Sequence, residues 1–205
     1  IPSEAGMGGG SSDAGAVLRG LSALLPGAVA GARLAEIALS LGADVPFFLD
    51  PRPARVTGVG EGIERLAGLL AQSLVLARRG PALSSAQVFG RLREAPGPSL
   101  TPEGADPTIR PLWALREPGG LVRAGSRLRD LVHNDLEPAA AALNPAVTEL
   151  QREFENSGAL ASAMTGSGPT VYGLFAEEAA AERAARSLAA RDGTWVRRTR
   201  TIPSP

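Results

Sequence analysis

The glycine-rich segment 6–12 has the clearest chemical potential in this 205-residue chain, and it reads Gly-Met-Gly-Gly-Gly-Ser-Ser. Glycines allow the backbone to turn tightly and to bring its N–H groups close to a ligand. Ser11 and Ser12 add hydroxyl donors, and the apolar spacing over residues 13–25 predicts a helix whose positive end points to the same place. The pattern predicts a polyphosphate site. The alternative is a flexible Gly/Ser linker before a helix that Ser12 or Asp13 caps.

Two other nucleotide motifs do not fit this segment. A Walker A loop ends in Gly-Lys-Ser or Gly-Lys-Thr, whereas all 21 basic residues of this chain are Arg. A dinucleotide fingerprint needs a third glycine where Ser11 stands, and no strand precedes the segment. The phosphate interpretation therefore depends on the glycines, the serines and the helix that follows them.

The composition favours a globular enzyme or binding protein. Acidic and basic residues balance at 21 each, so the chain has no broad basic field for nucleic acid. Cysteine is absent and His133 is the one histidine, which excludes thiol chemistry and a cluster of histidine ligands. No apolar run has the length of a membrane span and no signal peptide is recognisable, so we expect a cytoplasmic protein. The sequence lacks an initiator Met and begins on a dense motif, from which we expect that it starts inside a longer protein.

Apolar periodicity predicts an α+β protein in which helices and antiparallel strands form two layers. The predicted helices cover residues 13–25, 33–41, 85–94, 121–132, 138–157 with a break near Pro145, and 177–191. The predicted strands lie within residues 54–66, 73–77, 159–165, 170–175 and 195–202, and residues 44–49 lead into an extended apolar run. Pro and Gly are dense over residues 95–120. This stretch predicts a boundary between a domain of residues 1–95 and a domain of residues 96–205.

Four segments resemble signatures of the GHMP kinases, in the order that this family has them. Residues 1–14, with Gly-Gly-Gly-Ser-Ser-Asp-Ala at 8–14, resemble the phosphate-binding signature in the form typical of 4-diphosphocytidyl-2-C-methyl-D-erythritol kinases. Residues 41–48 (Leu-Gly-Ala-Asp-Val-Pro-Phe-Phe) and 134–137 (Asn-Asp-Leu-Glu) resemble further elements of that family. Residues 165–172 (Thr-Gly-Ser-Gly-Pro-Thr-Val-Tyr) resemble its C-terminal glycine-rich signature. One match alone would be weak, whereas four in register are specific.

The resemblance implies a two-domain GHMP kinase fold and a reaction. The fold would combine part of an N-terminal domain like domain 2 of ribosomal protein S5 with a ferredoxin-like C-terminal domain. The reaction would transfer phosphate from ATP, with Mg²⁺, to the 2-hydroxyl of the small molecule 4-diphosphocytidyl-2-C-methyl-D-erythritol, a step of the non-mevalonate (MEP) isoprenoid precursor pathway. Two alternatives stay open: another GHMP kinase, such as a homoserine kinase, or a non-catalytic nucleotide-binding remnant. The sequence does not give the oligomeric state.

The same resemblance assigns roles to individual residues. Asp44 would be the catalytic carboxylate that accepts the proton of the substrate hydroxyl; its alternative role is a turn or cap after Gly42. The residues implied to contact the phosphates of ATP are Gly6, Gly8, Gly9, Gly10, Ser11, Ser12, Gly166, Ser167 and Gly168. For the last three, a plain β-turn between two strands is the alternative. Which serine contacts phosphate, and which residues hold the metal, stays open.

The resemblance also implies which residues bind the cytidine substrate. Phe89 would stack on the cytosine ring, and Ser85 would occupy a position where the family has Thr; the alternative for a helical Phe is a place in the core. His133 is predicted to be packed or to cap a helix, and Asp135 and Glu137 are predicted to cap the helix that opens near Pro138.

One part of the family pattern has no counterpart in this sequence. The family begins with a Pro-Ala-Lys-Val-Asn-Leu-like strand whose Lys and Asn serve the active site, and a Gly-Tyr-His segment follows that strand. We expect that roughly the first third of the family's chain is missing here. The 205 residues alone are therefore predicted to be poorly stable, with uncovered apolar surface, and catalytically inactive.

Overall fold

The structure, a computed structural model, describes residues 2–94, 116–123, 128 and 132–203. Its helices are α1 (Gly9–Leu24), α2 (Gly31–Leu41), a 3₁₀-helix (Phe47–Leu49), α3 (Ser85–Glu94), α4 (Glu137–Leu143), α5 (Ala146–Asn156) and α6 (Glu178–Ala189). Its strands are β1 (Ala54–Thr57), β2 (Gly62–Arg65), β3 (Ser73–Arg78), β4 (Ala161–Met164), β5 (Val171–Phe175) and β6 (Trp195–Arg200). Helices and strands mixed in this order confirm the predicted α+β class.

The chain forms two compact units. The large unit comprises residues 1–7 and 70–201, and the small unit comprises residues 8–69 and 202–205.

The large unit is built on a four-stranded antiparallel sheet in the order β4-β5-β3-β6. If its strands are counted in chain order from β3, the spatial order reads 2-3-1-4, which is 4-1-3-2 from the other edge. Helices lie between the first and second strands and between the third and fourth, as in the ferredoxin-like β-α-β-β-α-β arrangement. The predicted ferredoxin-like C-terminal domain is thereby confirmed.

The two units do not divide at the predicted boundary between residues 95 and 96. Strand β3 is hydrogen-bonded between β5 and β6, with Val75 opposite both Gly173 and Arg198. Val88 of α3 is fully buried in the core of the large unit. The first strand and the first helix of the ferredoxin-like arrangement thus precede residue 95, and the division falls near residue 70. Pro and Gly density marks a loop, but it does not tell which sheet a strand joins.

The core of the large unit lies between the sheet and helices α4, α5 and α6. Phe154 of α5 and Phe175 of β5 meet edge to face with ring centroids 6.3 Å apart, and Gly173 leaves room for the Phe154 ring because a Cβ there would come within 2.5 Å of it. A fully buried apolar side chain of this size stabilises a fold by about 1.5–3 kcal/mol. Further fully buried members of the same cluster are Val75, Ala77, Val147, Leu150, Val171, Ala181 and Leu188.

The predicted break of helix 138–157 near Pro145 is confirmed. Helix α4 ends at Leu143 and α5 begins at Ala146. Pro145 cannot donate a backbone hydrogen bond, and the side chain of Asn144 accepts from the N–H of Ala146 at 3.2 Å. The predicted helix 121–132 is described only in part, and its residues 121–123 and 128 are helical. Most of the predicted loop 95–120 lies outside the described residues.

The small unit contains α1, α2, the 3₁₀-helix and the hairpin of β1 and β2. Residues 44–49 were predicted to lead into an extended apolar run, and the 3₁₀-helix that Phe47–Leu49 forms within them was not predicted. Its Phe48 lies against Gly15 of α1, where an added Cβ would be 2.5 Å from the Phe48 Cβ. The outer side of α1 is apolar and exposed: Val17, Leu21 and Leu24 are 61%, 50% and 78% exposed. Apolar spacing predicted this helix without telling which of its sides would be covered.

Among the helices that the structure describes, none combines the length and the apolar character that a membrane crossing needs.

Candidate functional site

Helix α1 begins inside the glycine-rich segment. Gly8 is the N-cap in the left-handed region at φ 62°, and the helix begins at Gly9. The N–H of Ser12 donates to the Gly8 carbonyl at 2.8 Å, which closes the first turn. The N–H groups of Gly9, Gly10 and Ser11 precede this bond and have no acceptor within the helix. Three consecutive backbone donors at the positive end of a helix of 16 residues suit an anion.

The alternative in which Ser12 or Asp13 caps the helix is wrong. Both residues lie inside α1, and no side chain makes a capping hydrogen bond at its N-terminus. Gly8 supplies the start instead, because a left-handed conformation there costs a glycine nothing. Ser11 and Ser12 are half-buried in the first turn, so their hydroxyls are not committed to a cap.

The surface over Gly10 is open. A Cβ added at Gly10 would have no heavy atom within 4 Å. At Gly8, in contrast, a Cβ would come within 3.2 Å of the Phe48 ring. Gly8 is therefore required by packing and by its conformation, whereas Gly10 leaves backbone uncovered, as a close approach by phosphate needs.

Asp44 lies in the turn between α2 and the 3₁₀-helix, and its carboxylate is exposed. Gly42 ends α2, and its carbonyl accepts from the N–H of Val45 at 3.0 Å. Val45 is 1% exposed and anchors the turn next to Asp44. The N-cap of the 3₁₀-helix is Pro46, and no side chain caps it. Asp44 therefore occupies a turn, as its alternative role requires, but it does not cap a helix.

The segment that carries Asp44 packs on the helix that begins in the glycine-rich loop. Phe48 contacts α1 at Gly8 and Gly15, and Arg19 of α1 donates to the Phe48 carbonyl. On its other side, Ala43 lies against Gly60, where a Cβ would overlap the Ala43 carbonyl. Asp44 and the residues Gly8 to Ser12 thus belong to one packed unit.

The C-terminal glycine-rich loop, residues 165–170, is a closed turn between β4 and β5. The N–H of Thr165 donates to the Thr170 carbonyl at 2.9 Å, and the N–H of Gly168 donates to the Thr165 carbonyl at 3.0 Å. Gly166 and Gly168 have φ values of 53° and 78°, which only glycine adopts without strain. The alternative of a β-turn between strands is correct as a description of its geometry.

This loop also contacts Gly6. The Thr165 hydroxyl donates to the Gly6 carbonyl at 3.1 Å. A Cβ at Gly6 would come within 2.6 Å of the Gly168 nitrogen, and one at Gly166 within 2.6 Å of the Gly6 carbonyl oxygen. The structure therefore brings together, within the large unit, the predicted phosphate residues Gly6, Gly166 and Gly168 by direct backbone packing.

The predicted substrate residues lie at the start of α3. The hydroxyls of Ser85 and Ser167 are within hydrogen-bonding distance at 2.9 Å. Phe89, one turn further on, is 47% exposed, whereas its neighbour Val88 is fully buried. The alternative in which Phe89 belongs to the core is therefore wrong. Its ring is accessible to a ligand.

The Asn-Asp-Leu-Glu element, residues 134–137, binds the end of β4, which the sequence did not predict. The N-cap of α4 is Leu136 and no side chain makes a capping hydrogen bond there, so the predicted capping by Asp135 and Glu137 is wrong. Glu137 instead accepts from the N–H of Met164, and Asn134 contacts the same strand end. His133 is exposed, with its Nε2 3.8 Å from Asp135, so it is not packed. The resemblance to a family signature singled out this element, but no feature of the neighbouring sequence predicted that it binds Met164.

No three Asp, Glu or His side chains lie close enough together to hold a metal ion within the part of the chain that the structure describes. A Mg²⁺ bound mainly through phosphate oxygens and water needs only one or two protein oxygens. The half-buried hydroxyls of Ser11 and Ser12 and the carboxylate of Asp44 are of the right chemical type.

Comparison with known proteins agrees with these features. The family model "GHMP kinases N terminal domain" matches residues 1–50, and "GHMP kinases C terminal" matches residues 112–193. A 4-diphosphocytidyl-2-C-methyl-D-erythritol kinase of Citrifermentans bemidjiense is 39% identical over 202 residues, covering 98% of this chain and 67% of the relative. The enzyme of that name from Sinorhizobium medicae is also 39% identical, covering 98% of this chain and 62% of the relative. The chain thus spans about two thirds of the length of these relatives.

Solved structures of GHMP kinases superpose on this chain. A crystal structure of 4-(cytidine 5'-diphospho)-2C-methyl-D-erythritol kinase superposes with a TM-score of 0.71 at 36% identity, covering 97% of this chain and 67% of the other. A homoserine kinase from Cytophaga hutchinsonii superposes with a TM-score of 0.70 at 17% identity. The second likeness, at so low an identity, is one of fold.

Proposed function

This chain belongs to the 4-diphosphocytidyl-2-C-methyl-D-erythritol kinase family of the GHMP kinases, and we propose that its protein transfers the γ-phosphoryl group of ATP to the 2-hydroxyl of 4-diphosphocytidyl-2-C-methyl-D-erythritol. The observation that carries the proposal is the start of α1 inside the glycine-rich segment, with open backbone at Gly10. The product would serve the non-mevalonate isoprenoid precursor pathway.

The start of α1 would hold the phosphates. Backbone N–H groups of Gly9, Gly10 and Ser11 would donate to phosphate oxygens, with the hydroxyls of Ser11 and Ser12 as further ligands of phosphate or of Mg²⁺. Phosphoryl transfer depends mainly on positioning and on charge stabilisation, and bound ATP and Mg²⁺ supply the transferred group and the counter-charge. Within these 205 residues, which contain no Lys, the backbone donors at the start of α1 would carry this task.

Asp44 would act as the general base. An exposed carboxylate on a turn anchored by buried Val45 can accept the proton of a substrate hydroxyl without first breaking a packed contact. On the substrate side, the exposed ring of Phe89 would stack on the cytosine, and the Ser85 hydroxyl would orient the same ligand. Gly6, Gly166, Ser167 and Gly168, which pack together within the large unit, would take the phosphate-binding role that the family resemblance assigns to them.

The substrate assignment over homoserine follows from the family. The relatives that match at 39% identity are 4-diphosphocytidyl-2-C-methyl-D-erythritol kinases, whereas homoserine kinase shares the fold at 17%. The Leu-Gly-Ala-Asp-Val-Pro-Phe-Phe run at residues 41–48 belongs to the same assignment. A cytidine ligand also gives the exposed Phe89 a role that homoserine would not.

The test measures ADP release by the longest natural form of the protein, with ATP and Mg²⁺ and a choice of two acceptors. We expect release with 4-diphosphocytidyl-2-C-methyl-D-erythritol and none with homoserine. Release with homoserine alone would assign the protein to the other kinase. ATP binding without turnover on either acceptor would identify a non-catalytic remnant. The 205-residue chain, tested alongside, is expected to be inactive, and robust turnover by it would contradict that expectation.

A further inference from the structure

Asn134, which precedes α4, is bound by two hydrogen bonds to the end of β4 and to the C-terminal glycine-rich loop. Its side-chain NH₂ donates to the carbonyl of Met164 at 2.9 Å and to the carbonyl of Gly166 at 2.7 Å. Its side-chain oxygen accepts from the N–H of Leu136 at 2.9 Å, which fixes the orientation of the amide. Both N–H donors of the Asn134 amide are therefore bound to backbone carbonyls.

Glu137 holds the same strand end from the other side. Its Oε1 accepts from the N–H of Met164 at 2.5 Å. Met164 is the last residue of β4 and is 2% exposed. Both polar groups of this residue, its N–H and its carbonyl, are thus bound by side chains of the Asn-Asp-Leu-Glu element. The two peptide groups that flank the Met164 Cα are therefore each held by one side chain, Glu137 at the N–H and Asn134 at the carbonyl.

The glycine-rich loop that follows Met164 makes three contacts that matter for the proposed function. Thr165 binds the Gly6 carbonyl, Gly166 packs on Gly6, and the Ser167 hydroxyl reaches Ser85. All of these contacts are short and involve backbone atoms or a small side chain. A displacement of the loop by less than an ångström would break them.

We propose that Asn134 and Glu137 are positioning residues, which form a clamp that sets the place of residues 165–168 for catalysis. The proposal rests on the proposed function, to which it adds two residues that act through the backbone of Met164 and Gly166. A misplacement of about 1 Å costs an enzyme on the order of 10²-fold in rate. The clamp therefore acts on turnover through the loop.

Asn144 provides a matched control for Asn134. Its side-chain NH₂ also donates to two backbone carbonyls, those of Arg79 at 3.0 Å and Pro81 at 3.1 Å, and its oxygen accepts from the N–H two residues later. It lies at the other end of α4. Replacement of either Asn by Ala removes three hydrogen bonds of the same kinds, two donated to backbone carbonyls and one accepted from a backbone N–H. Only Asn134 is bound to the glycine-rich loop.

The experiment compares Asn134→Ala with Asn144→Ala by hydrogen exchange and by kinetics on the protein used above. We expect Asn134→Ala to raise the exchange of the Gly168 amide about tenfold relative to the amides of β3, since each lost hydrogen bond contributes roughly 0.5–1.5 kcal/mol. We expect its kcat to fall by about tenfold or more, with KM values changed much less. Asn144→Ala is expected to lower the unfolding midpoint without selective exchange in the loop.

Glu137 is tested by a conservative pair. Glu137→Gln keeps an oxygen that accepts from Met164 and should retain loop protection and kcat, whereas Glu137→Ala should lose both. Asn134→Asp keeps the shape but loses both donors, and it should behave like Asn134→Ala at neutral pH.

Unchanged loop exchange in Asn134→Ala, or an equal loop effect in Asn144→Ala, would overturn the positioning role. If the unmodified protein showed no turnover on the cytidine substrate, the proposed function would fail. The exchange measurements would still decide whether the clamp holds the loop.

Discussion

The hydroxyl oxygens of Ser85 and Ser167 lie 2.9 Å apart although 82 positions separate them in the sequence. One residue was predicted to bind the cytidine substrate and the other to lie in a phosphate signature. Their contact means that the start of α3 and the C-terminal glycine-rich loop share a hydrogen bond. The effects of removing the two hydroxyls should therefore depend on each other.

We predict a coupled effect of Ser85→Ala and Ser167→Ala on kcat/KM for the cytidine substrate. Each single change should lower kcat/KM, and the double change should lower it by less than the product of the two, since interacting hydroxyls couple by about 0.5–3 kcal/mol. A double-mutant cycle measures this. Ser84→Ala is the control, because Ser84 and Gln87 form a capping box at the start of α3. It should cost about 1 kcal/mol of stability and leave the coupling intact. Additive effects of the two serines would contradict the prediction.

Phe89→Ala should weaken substrate binding without loss of stability. The ring is 47% exposed, so its removal leaves no cavity, and the lost stacking on cytosine is expected to raise KM for the cytidine substrate by about tenfold. KM for ATP should hardly change. Val88→Ala, the neighbouring change at a fully buried position, should instead lower the unfolding midpoint. Equal changes in both KM values after Phe89→Ala would count against stacking.

Asp44→Asn should abolish most of the turnover while ATP binding survives. General base catalysis contributes about 10²–10⁴-fold to a rate, and Asp44 is exposed, so its replacement by Asn should leave the turn folded. The control is Asp50→Asn in the same segment, where the carboxylate pairs with Arg52 at 2.6 Å. That variant should keep near-normal kcat. Single-turnover rates together with an ATP-binding isotherm separate chemistry from binding, and a kcat of Asp44→Asn near the unmodified value would remove Asp44 from the role of base.

Gly10→Ala should weaken nucleotide binding, and Gly20→Ala should not. Both glycines lie in α1, and an added Cβ would have no heavy atom within 4 Å at either position. Alanine is the better helix former by about 0.8–1.0 kcal/mol, so neither change should destabilise the small unit. A methyl group at Gly10 would nevertheless stand where phosphate is proposed to approach the backbone. Calorimetric titration with ATP distinguishes the two variants, and identical affinities would exclude the open face at Gly10 as the phosphate site.

Local chemistry made part of this molecule predictable. Glycine at the start of a helix and the apolar spacing of α2, α3, α5 and α6 are properties of neighbouring residues, and the corresponding predictions are confirmed within a few positions. The 3₁₀-helix at Phe47–Leu49 was missed because an apolar run is compatible with a strand as well as with a packed turn.

The relationships that organise the candidate site are non-local, and no sequence pattern gave them. The pairing of β3 with β5 and β6 joins residues that lie between 94 (Ala77 and Val171) and 127 (Ser73 and Arg200) positions apart, so the composition of the 95–120 stretch could not locate the division between units. The contacts of Asn134 with Gly166 and of Glu137 with Met164 likewise depend on where β4 ends. The family match singled out the Asn-Asp-Leu-Glu element, but capping was the only role that its neighbours in the sequence suggested.

The ion pair of Arg79 and Glu153 should make the large unit sensitive to acid. Two guanidinium N–H groups of Arg79 donate to the Glu153 carboxylate at 2.9 and 3.1 Å, and its Nε donates to Thr194 at 2.8 Å. The hydrogen bond from Arg79 lowers the pKa of Glu153 below its ordinary value of 4.5. Because the folded-state pKa is the lower one, the stabilisation is present above pH 4.5 and is lost as the pH falls through the folded-state value.

Glu153→Gln should therefore lower the free energy of unfolding at pH 7 by about 1–3 kcal/mol, since a partly buried charged acceptor is lost. The difference from the unmodified protein should shrink as the pH falls below 4.5, because the unfolded state of the unmodified protein then binds a proton at this carboxylate more readily than the folded state does. Glu182→Gln is the control: Glu182 pairs with Arg186 at 2.8 Å on the exposed side of α6, where such a pair contributes little. Urea unfolding at pH 7 and pH 3.5 measures all three proteins. A deficit of Glu153→Gln that stayed constant between the two pH values would assign the stabilisation to packing of the side chain rather than to its charge.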